Sequence, residues 1–160
     1  MRIMPRRPSN SSTPLDDIDK QLIQVLQVDG RKSFADLAPL VGLSQAAVRQ
    51  RVNRLIELDV IQIVGVTDPL TMGFSVVAMI GITAQGDLNE IAERLGEIDR
   101  SDYVVITAGR YDLLLELTCE DNDHLLSILN DEIRTIPGVT HAEAFTYLKL
   151  HKQTYAWGTR

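Results

Sequence analysis

The apolar positions of this chain follow a helical period in its first third and then alternate between strand and helix. Ile18, Leu22, Val25 and Leu26 recur at helical spacing, behind Asp16, Asp17 and Asp19, where the positive end of a helix dipole favours acid. Asp29-Gly30 ends that segment. A second helix is predicted from Ser33, a suitable N-cap, through Phe34, Leu37, Ala38 and Leu40 to Val41-Gly42-Leu43. Ser44 caps a third helix that runs to about Leu58, with Ala47, Val48, Val52, Leu55 and Ile56 apolar. Residues 60–68, VIQIVGVTD, are short and β-branched and read as a strand leaving the helical unit, broken by Asp68-Pro69.

In the second half, strands are predicted over 74–84, 103–107, 112–119 and 141–150. Between them lie helices over 87–98, with Leu88, Ile91, Leu95 and Ile98 on one face, and 122–136, with Leu125, Leu129, Ile133 and Ile136. The order βαββαβ matches the split-βαβ, ferredoxin-like plan, an antiparallel sheet with both helices on one face. The strands 74–82 and 112–117 are apolar at nearly every position: Leu113, Leu115 and Leu117 point one way and Leu114 the other. Helices cover one sheet face, so the other needs a cover, and a second copy of the same sheet supplies it most simply. A homodimer is therefore expected.

Three helices in the first unit, the last two joined by a short glycine turn, form a helix-turn-helix arrangement. Ala38 lets the helices approach, Gly42 supplies positive φ, and Val48 fills the angle between them. A generic helical hairpin shares these features; the third helix adds chemistry. Gln45, Arg49 and Asn53 form one stripe, flanked by Ala46 and Gln50, with Arg51 and Arg54 toward the sides. From Ser44 to Ile56 there are three Arg and no acid, whereas a solvated face ordinarily mixes both signs. Arg and Gln suit base edges, and Arg and Ser suit phosphate. Ser44, Gln45, Ala46, Arg49, Gln50, Arg51, Asn53 and Arg54 are the candidate DNA contacts.

Charge at first argues otherwise. The net charge of −6 opposes nucleic-acid binding, but it is unevenly spread. Residues 1–66 hold 9 basic and 7 acidic side chains, and residues 67–160 hold 7 and 15. The acid belongs to the second half. Residues 1–14, with three Pro, three Ser, three Arg and no acid, read as a disordered basic arm, either a solvated tail or a contact to DNA backbone.

The stretch LDDIDKQLIQVLQVDGRKSFADLAPLVGLSQAAVRQRVNRLIELDVI resembles the DNA-binding domain of the Lrp/AsnC (feast–famine) family of prokaryotic transcription regulators. GRYDLLLEL at 109–117 and IPGV at 136–139 resemble that family's regulator-of-amino-acid-metabolism (RAM) domain. The resemblance covers about residues 15–152. It implies an α+β chain: a winged-type three-helix helix-turn-helix domain at 15–59, a linker strand at 60–72, a ferredoxin-like effector-binding and oligomerisation domain at 73–152, and a tail at 153–160. It implies double-stranded DNA with a pseudo-palindromic operator as partner, a homodimer that assembles into an octamer of four dimers, and an amino acid or related metabolite as effector, bound between dimers. Gly109, Tyr111 and Asp112 match the family's G-x-Y-D motif, with Thr107 and Arg110 beside them. A carboxylate at a strand start can pair with an ammonium; the same loop also reads as a plain hairpin turn capped by Asp112. The family commonly has Gly where this chain has Asp59, a residue that tolerates the left-handed conformation better than most. The aromatic tail residues Tyr155 and Trp157 are not family constants.

Catalysis is not expected. His124, His141 and His151 lack metal-ligand spacing with each other or with Cys119, and no nucleophile elbow, Walker lysine loop or dinucleotide fingerprint occurs. Neither a cofactor nor a metal is expected. One cysteine, no membrane-length apolar run and no apolar signal segment point to a cytoplasmic, nucleoid-associated protein. A metabolite-binding oligomer without operator binding is the rival reading, and the acid-free stripe on the third helix opposes it.

Overall fold

The computed structural model describes residues 15–154 and 158–159. The arm at 1–14 and the aromatic residues Tyr155 and Trp157 lie outside the described residues. The chain divides into two compact units: Met1–Gly65 together with Lys152–Arg160, and Val66–His151.

In the first unit, α1 spans Asp17–Val28, α2 Phe34–Val41 and α3 Gln45–Glu57. Each is capped by the short oxygen-bearing side chain just before it. Asp16 accepts from Asp19 N at 2.8 Å, Ser33 from Asp36 N at 3.2 Å and Ser44 from Ala47 N at 3.2 Å, satisfying donors that a first turn leaves unpaired. Gly42 ends α2 with φ 69°, the left-handed turn that aims α3 away from α2. Leu22, Leu37, Ala38, Val48 and Val52 form one buried cluster, so the small residue, the turn and the wedge act as the spacing implied. The C-terminal segment returns to this unit, where Gln24 Nε2 donates to Thr159 Oγ1 at 2.7 Å.

A buried carboxylate ties α1 to α3. Asp19 is fully buried, the one charged side chain so placed among the described residues. Arg51 Nη1 donates to its Oδ1 at 2.9 Å and to Asp16 Oδ2 at 2.6 Å; Arg54 Nη2 donates to Asp19 Oδ2 at 2.6 Å. Two carboxylates three residues apart on one helix thus face two guanidiniums three residues apart on another. The same carboxylates form the capping box of α1, so cap and clamp are one structure.

Residues 61–68 carry no regular secondary structure, although the sequence predicts a strand there. A strand needs a partner for its backbone groups, and this stretch pairs with no strand among the described residues. Ile63, Val64 and Val66 are correspondingly exposed. Before this stretch, Asp59 adopts φ 56°, the one non-glycine residue with positive φ among those described.

The second unit runs β1 (Val76–Ala84), α4 (Leu88–Gly96), β2 (Ser101–Ile106), β3 (Leu113–Cys119), α5 (Asn122–Ser127) continuing as a π-helical turn over Ile128–Ile133, and β4 (Val139–Thr146). The sheet order is β2-β3-β1-β4 with all neighbours antiparallel. Ala78, Ile80, Ile82, Leu113, Leu115 and Leu117 face Ile91, Leu95, Leu125 and Ile133 of the helices in a single core. The π turn brings residues five apart onto one face, which is why Ile128 and Ile133 are buried together, a placement that regular helical spacing does not give. The last strand ends at Thr146, short of the predicted residue 150, and Leu148 projects into solvent. No helix among the described residues is long and apolar enough to cross a membrane.

The opposite sheet face carries Val77, Met79, Gly81, Leu114, Glu116, Glu143 and Phe145, and α4 and α5 pack on the other side. Its two glutamates are already partnered: the Tyr147 hydroxyl donates to Glu116 Oε1 at 2.8 Å and the Tyr111 hydroxyl to Glu143.

Replacing Asp59 with Val puts a β-branched residue in the left-handed region. Asp59→Val is expected to cost about 1–2 kcal/mol and Asp59→Gly little, read by urea unfolding followed through helical circular dichroism. Removing the shared carboxylate leaves Arg54 without its ion pair and Arg51 with Asp16 alone, so Asp19→Ala is expected to cost about 3 kcal/mol in the same assay, the low end for a buried pair because both guanidiniums are partly exposed. Acid acts on the same clamp. The Asp19 amide and then Arg51 hold the Asp16 carboxyl below its ordinary value of 3.8. Its contribution is complete above that value and is lost as pH falls through the lowered pKa, so melting temperature should drop in that window in wild type and less in Asp16→Asn.

Candidate functional site

At about 100° per residue, α3 sorts its side chains into three arcs. With Gln45 at zero, Arg49, Asn53, Ala46 and Gln50 follow at about 40°, 80°, 100° and 140°. Arg54 and Arg51 lie at about 180° and 240°, and the buried Leu55, Val48 and Val52 at about 280°, 300° and 340°. The structure agrees with the wheel. Ser44, Gln45, Ala46, Arg49, Gln50 and Asn53 together line one shallow open surface. Arg51 and Arg54 do not belong to it; their guanidiniums are occupied by Asp16 and Asp19. Expected as DNA contacts, these two arginines serve as the clamp between α1 and α3. The signal was present in the sequence as two acids and two arginines with matching three-residue spacing.

Arg49 differs from its two neighbours. It has no ion-pair partner among the described residues, and its guanidinium carbon lies 5.6 Å from the centroid of the Phe34 ring. Such a face can present a cation and amide groups to base edges at helical spacing. Phe34 did not figure among the sequence candidates, because its periodicity marked it only as core.

The second candidate group is the connection between β2 and β3. Thr107 N donates to Asp112 O, and Thr107 Oγ1 donates to Tyr111 O, closing the loop on itself. Asp112 fastens the loop to the central strand: its N–H donates to Ile82 O at 2.9 Å and its Oδ2 accepts from Ala84 N at 2.8 Å. Of the two roles the sequence left open for Asp112, the structure realises the cap. Tyr111 lies flat on Gly81, where a Cβ would stand 2.8 Å from three ring atoms, so only glycine admits the ring there. The ring meets Phe145 edge-on at 5.9 Å between centroids. Its hydrogen bond to Glu143, followed by burial, raises the Tyr111 hydroxyl above its usual range. Burial and then Glu116 push Tyr147 up to about 12.

Arg110 stands over the Tyr111 ring at 5.4 Å and 3.7 Å from Glu143, with 81% of its side chain exposed. Around Gly109 there is open space within 4 Å of an added Cβ. Thr107, Tyr111 and Asp112 therefore build the loop, and Gly109 and Arg110 form its accessible tip.

Among the described residues no group of three or more His, Cys, Asp and Glu is placed to hold a metal ion. Cys119 is buried in the second core, and that burial pushes its thiol up, away from the nucleophilic thiolate.

Comparison with known proteins agrees with both units. Residues 15–56 match the AsnC-type helix-turn-helix domain, and residues 74–160 match a C-terminal dimeric alpha+beta barrel domain of AsnC-type regulators. The HTH-type transcriptional regulator FL11 of Pyrococcus horikoshii is 32% identical over 143 residues, covering 88% of this chain and 94% of that protein. Among solved structures, the leucine response regulatory protein (LrpA) of Mycobacterium tuberculosis superposes with a TM-score of 0.79 at 28% identity, covering 87% of this chain and 96% of that one. The transcriptional regulator NMB0573 of Neisseria meningitidis, solved as an L-Met complex, shares the fold with a TM-score of 0.77 at 23% identity, over 89% of this chain and 95% of that one. The N-terminal match makes this a DNA-binding chain, and the dimeric C-terminal match makes it self-associating. With a helix-turn-helix matched over residues 15–56 and a dimeric alpha+beta barrel over residues 74–160, the chain belongs to the Lrp/AsnC family of transcriptional regulators, a family of regulators and not of enzymes.

Proposed function

We propose that this regulator reads a pseudo-palindromic operator through Ser44, Gln45, Ala46, Arg49, Gln50 and Asn53, and that an amino acid or related metabolite bound at the tip of the 107–112 loop modulates that reading. The observation that carries the first half is the acid-free surface of α3, on which Arg49 has no ion pair among the described residues while Arg51 and Arg54 are ion-paired to Asp16 and Asp19. Residues 44–53 of two protomers would enter successive major grooves about one helical turn apart. Gln45 and Asn53 suit adenine edges, Arg49 suits guanine, and the Ser44 hydroxyl suits phosphate. The domain limits we assign are 15–59 for DNA and 73–152 for effector binding and assembly, joined by 60–72.

The uncovered sheet face supports dimerisation through that face, since its glutamates are partnered by tyrosines within the chain and its remaining side chains include Val77, Met79, Leu114 and Phe145. Dimers assembling into an octamer of four would bring the loop tips to interfaces between dimers. For the effector, Arg110 is the group suited to a ligand carboxylate: it is charged, exposed and already oriented by Tyr111. The NMB0573 complex with L-Met supports an amino acid as the ligand class. A ligand between dimers would change the spacing of the DNA-binding units and so couple the two sites.

Arg49→Ala is expected to weaken operator binding by about 1–3 kcal/mol and to erase discrimination at one base pair, measured by titrating single-site variants of a selected duplex. A loss that is uniform across sequences, with a shallower salt dependence, would assign Arg49 to phosphate instead. In a thermal-shift screen of the twenty amino acids, at least one is expected to raise the melting temperature of wild type and not of Arg110→Ala. A shift of equal size in both proteins would remove Arg110 from the site.

A further inference from the structure

Arg49 and Phe34 come from different helices, yet the guanidinium carbon of one lies 5.6 Å from the ring centroid of the other. Phe34 is the first residue of α2, and its position is fixed twice. Ser33 caps the helix just before it, accepting from Asp36 N and donating to the Asp36 carboxylate at 2.6 Å. Its half-buried ring packs against the cluster of Leu22, Leu37, Ala38, Val48 and Val52. The ring is thereby anchored in the core on one side and available to Arg49 on another.

The three arginines of α3 are oriented by different means. Carboxylates hold Arg51 and Arg54, and a carboxylate both orients a guanidinium and occupies its donors and its charge. An aromatic face orients the guanidinium through its quadrupole and leaves the N–H fork and the net charge available to another partner. A free arginine side chain carries about 2 kcal/mol of rotamer entropy, part of which must be given up when it docks on a base. Ordering it beforehand lowers that cost.

We infer that Phe34 is a positioning residue for DNA recognition: its ring presents Arg49, so that affinity and base discrimination on α3 depend on an aromatic side chain supplied by α2. The inference rests on the base-reading role proposed for Arg49. It extends the determinants of specificity beyond the recognition helix to the N-terminal turn of the preceding one.

The test is a double-mutant cycle on the full-length protein, using a duplex selected from a randomised library by wild type. Phe34→Leu keeps an apolar side chain in the core and removes the π face. It is expected to weaken binding about two- to five-fold and to reduce discrimination at the base pair that Arg49→Ala erases. Phe34→Tyr, which keeps the π face, is expected to restore both. In an Arg49→Ala background, Phe34→Leu should cause no further loss. Phe34→Met replaces Leu as the non-aromatic probe if melting curves show that Phe34→Leu is unfolded. An equal loss from Phe34→Leu with and without Arg49 would overturn the inference and leave Phe34 a packing residue, as would wild-type affinity and discrimination in Phe34→Leu. If Arg49→Ala itself binds like wild type, the base-reading role fails and the inference falls with it, an outcome distinct from the other two.

Discussion

A carboxylate removed from water is tolerated only where charged donors replace its hydration, and Asp19 meets that demand with two guanidiniums from another helix. Much of the N-terminal unit follows from this one constraint. Asp19 is fixed by the capping box at the start of α1, so Arg51 and Arg54 must sit where its two oxygens point. That sets the rotation of α3 about its own axis. With Arg51 and Arg54 turned toward α1 and Val48, Val52 and Leu55 turned toward the core, the remaining arc is the one holding Gln45, Arg49 and Asn53. The exposed stripe is defined partly by what the clamp excludes from it.

The C-terminal unit solves a different problem. A four-stranded sheet with helices on one side leaves a second face whose polar groups must remain satisfied when it is covered. Tyr111 on Glu143 and Tyr147 on Glu116 answer this within a single chain, each pair reaching across β1 between the β3 and β4 sides of the sheet. Gly81 at the centre of β1 makes room for the first of these pairs by omitting a Cβ. The same tyrosine seats the loop whose tip carries Arg110, so the sheet face and the loop share one side chain.

Much of this was legible in the sequence because local rules dominate in its regular parts. Helix caps at Ser33 and Ser44, the turn at Gly42 and the alternation through Leu113, Leu115 and Leu117 all depend on neighbours within a few residues. Asp59 in the left-handed region is the same kind of inference, from one residue's tolerance for positive φ. Where the reading failed, the missing information was a partner. Residues 61–68 have strand composition but no strand pairs with them among the described residues. Arg51 and Arg54 look like the other cations of α3 until Asp16 and Asp19 are brought against them. The π turn at Ile128–Ile133 depends on a core that rewards burying residues five apart.

The sequence by itself determined the order of elements, the two-unit plan, the separation of basic and acidic halves, and the family to which both units belong. These are properties of periodicity, composition and short motifs, and they hold before any two distant residues meet. The tertiary structure decided which arginines of α3 are ion-paired to α1 and its cap. It also gave Asp112 the work of holding a loop and brought Phe34 beneath Arg49. Ion pairs, cation–π contacts and side-chain caps act over a few ångströms between residues far apart in the chain, so only the folded arrangement assigns them.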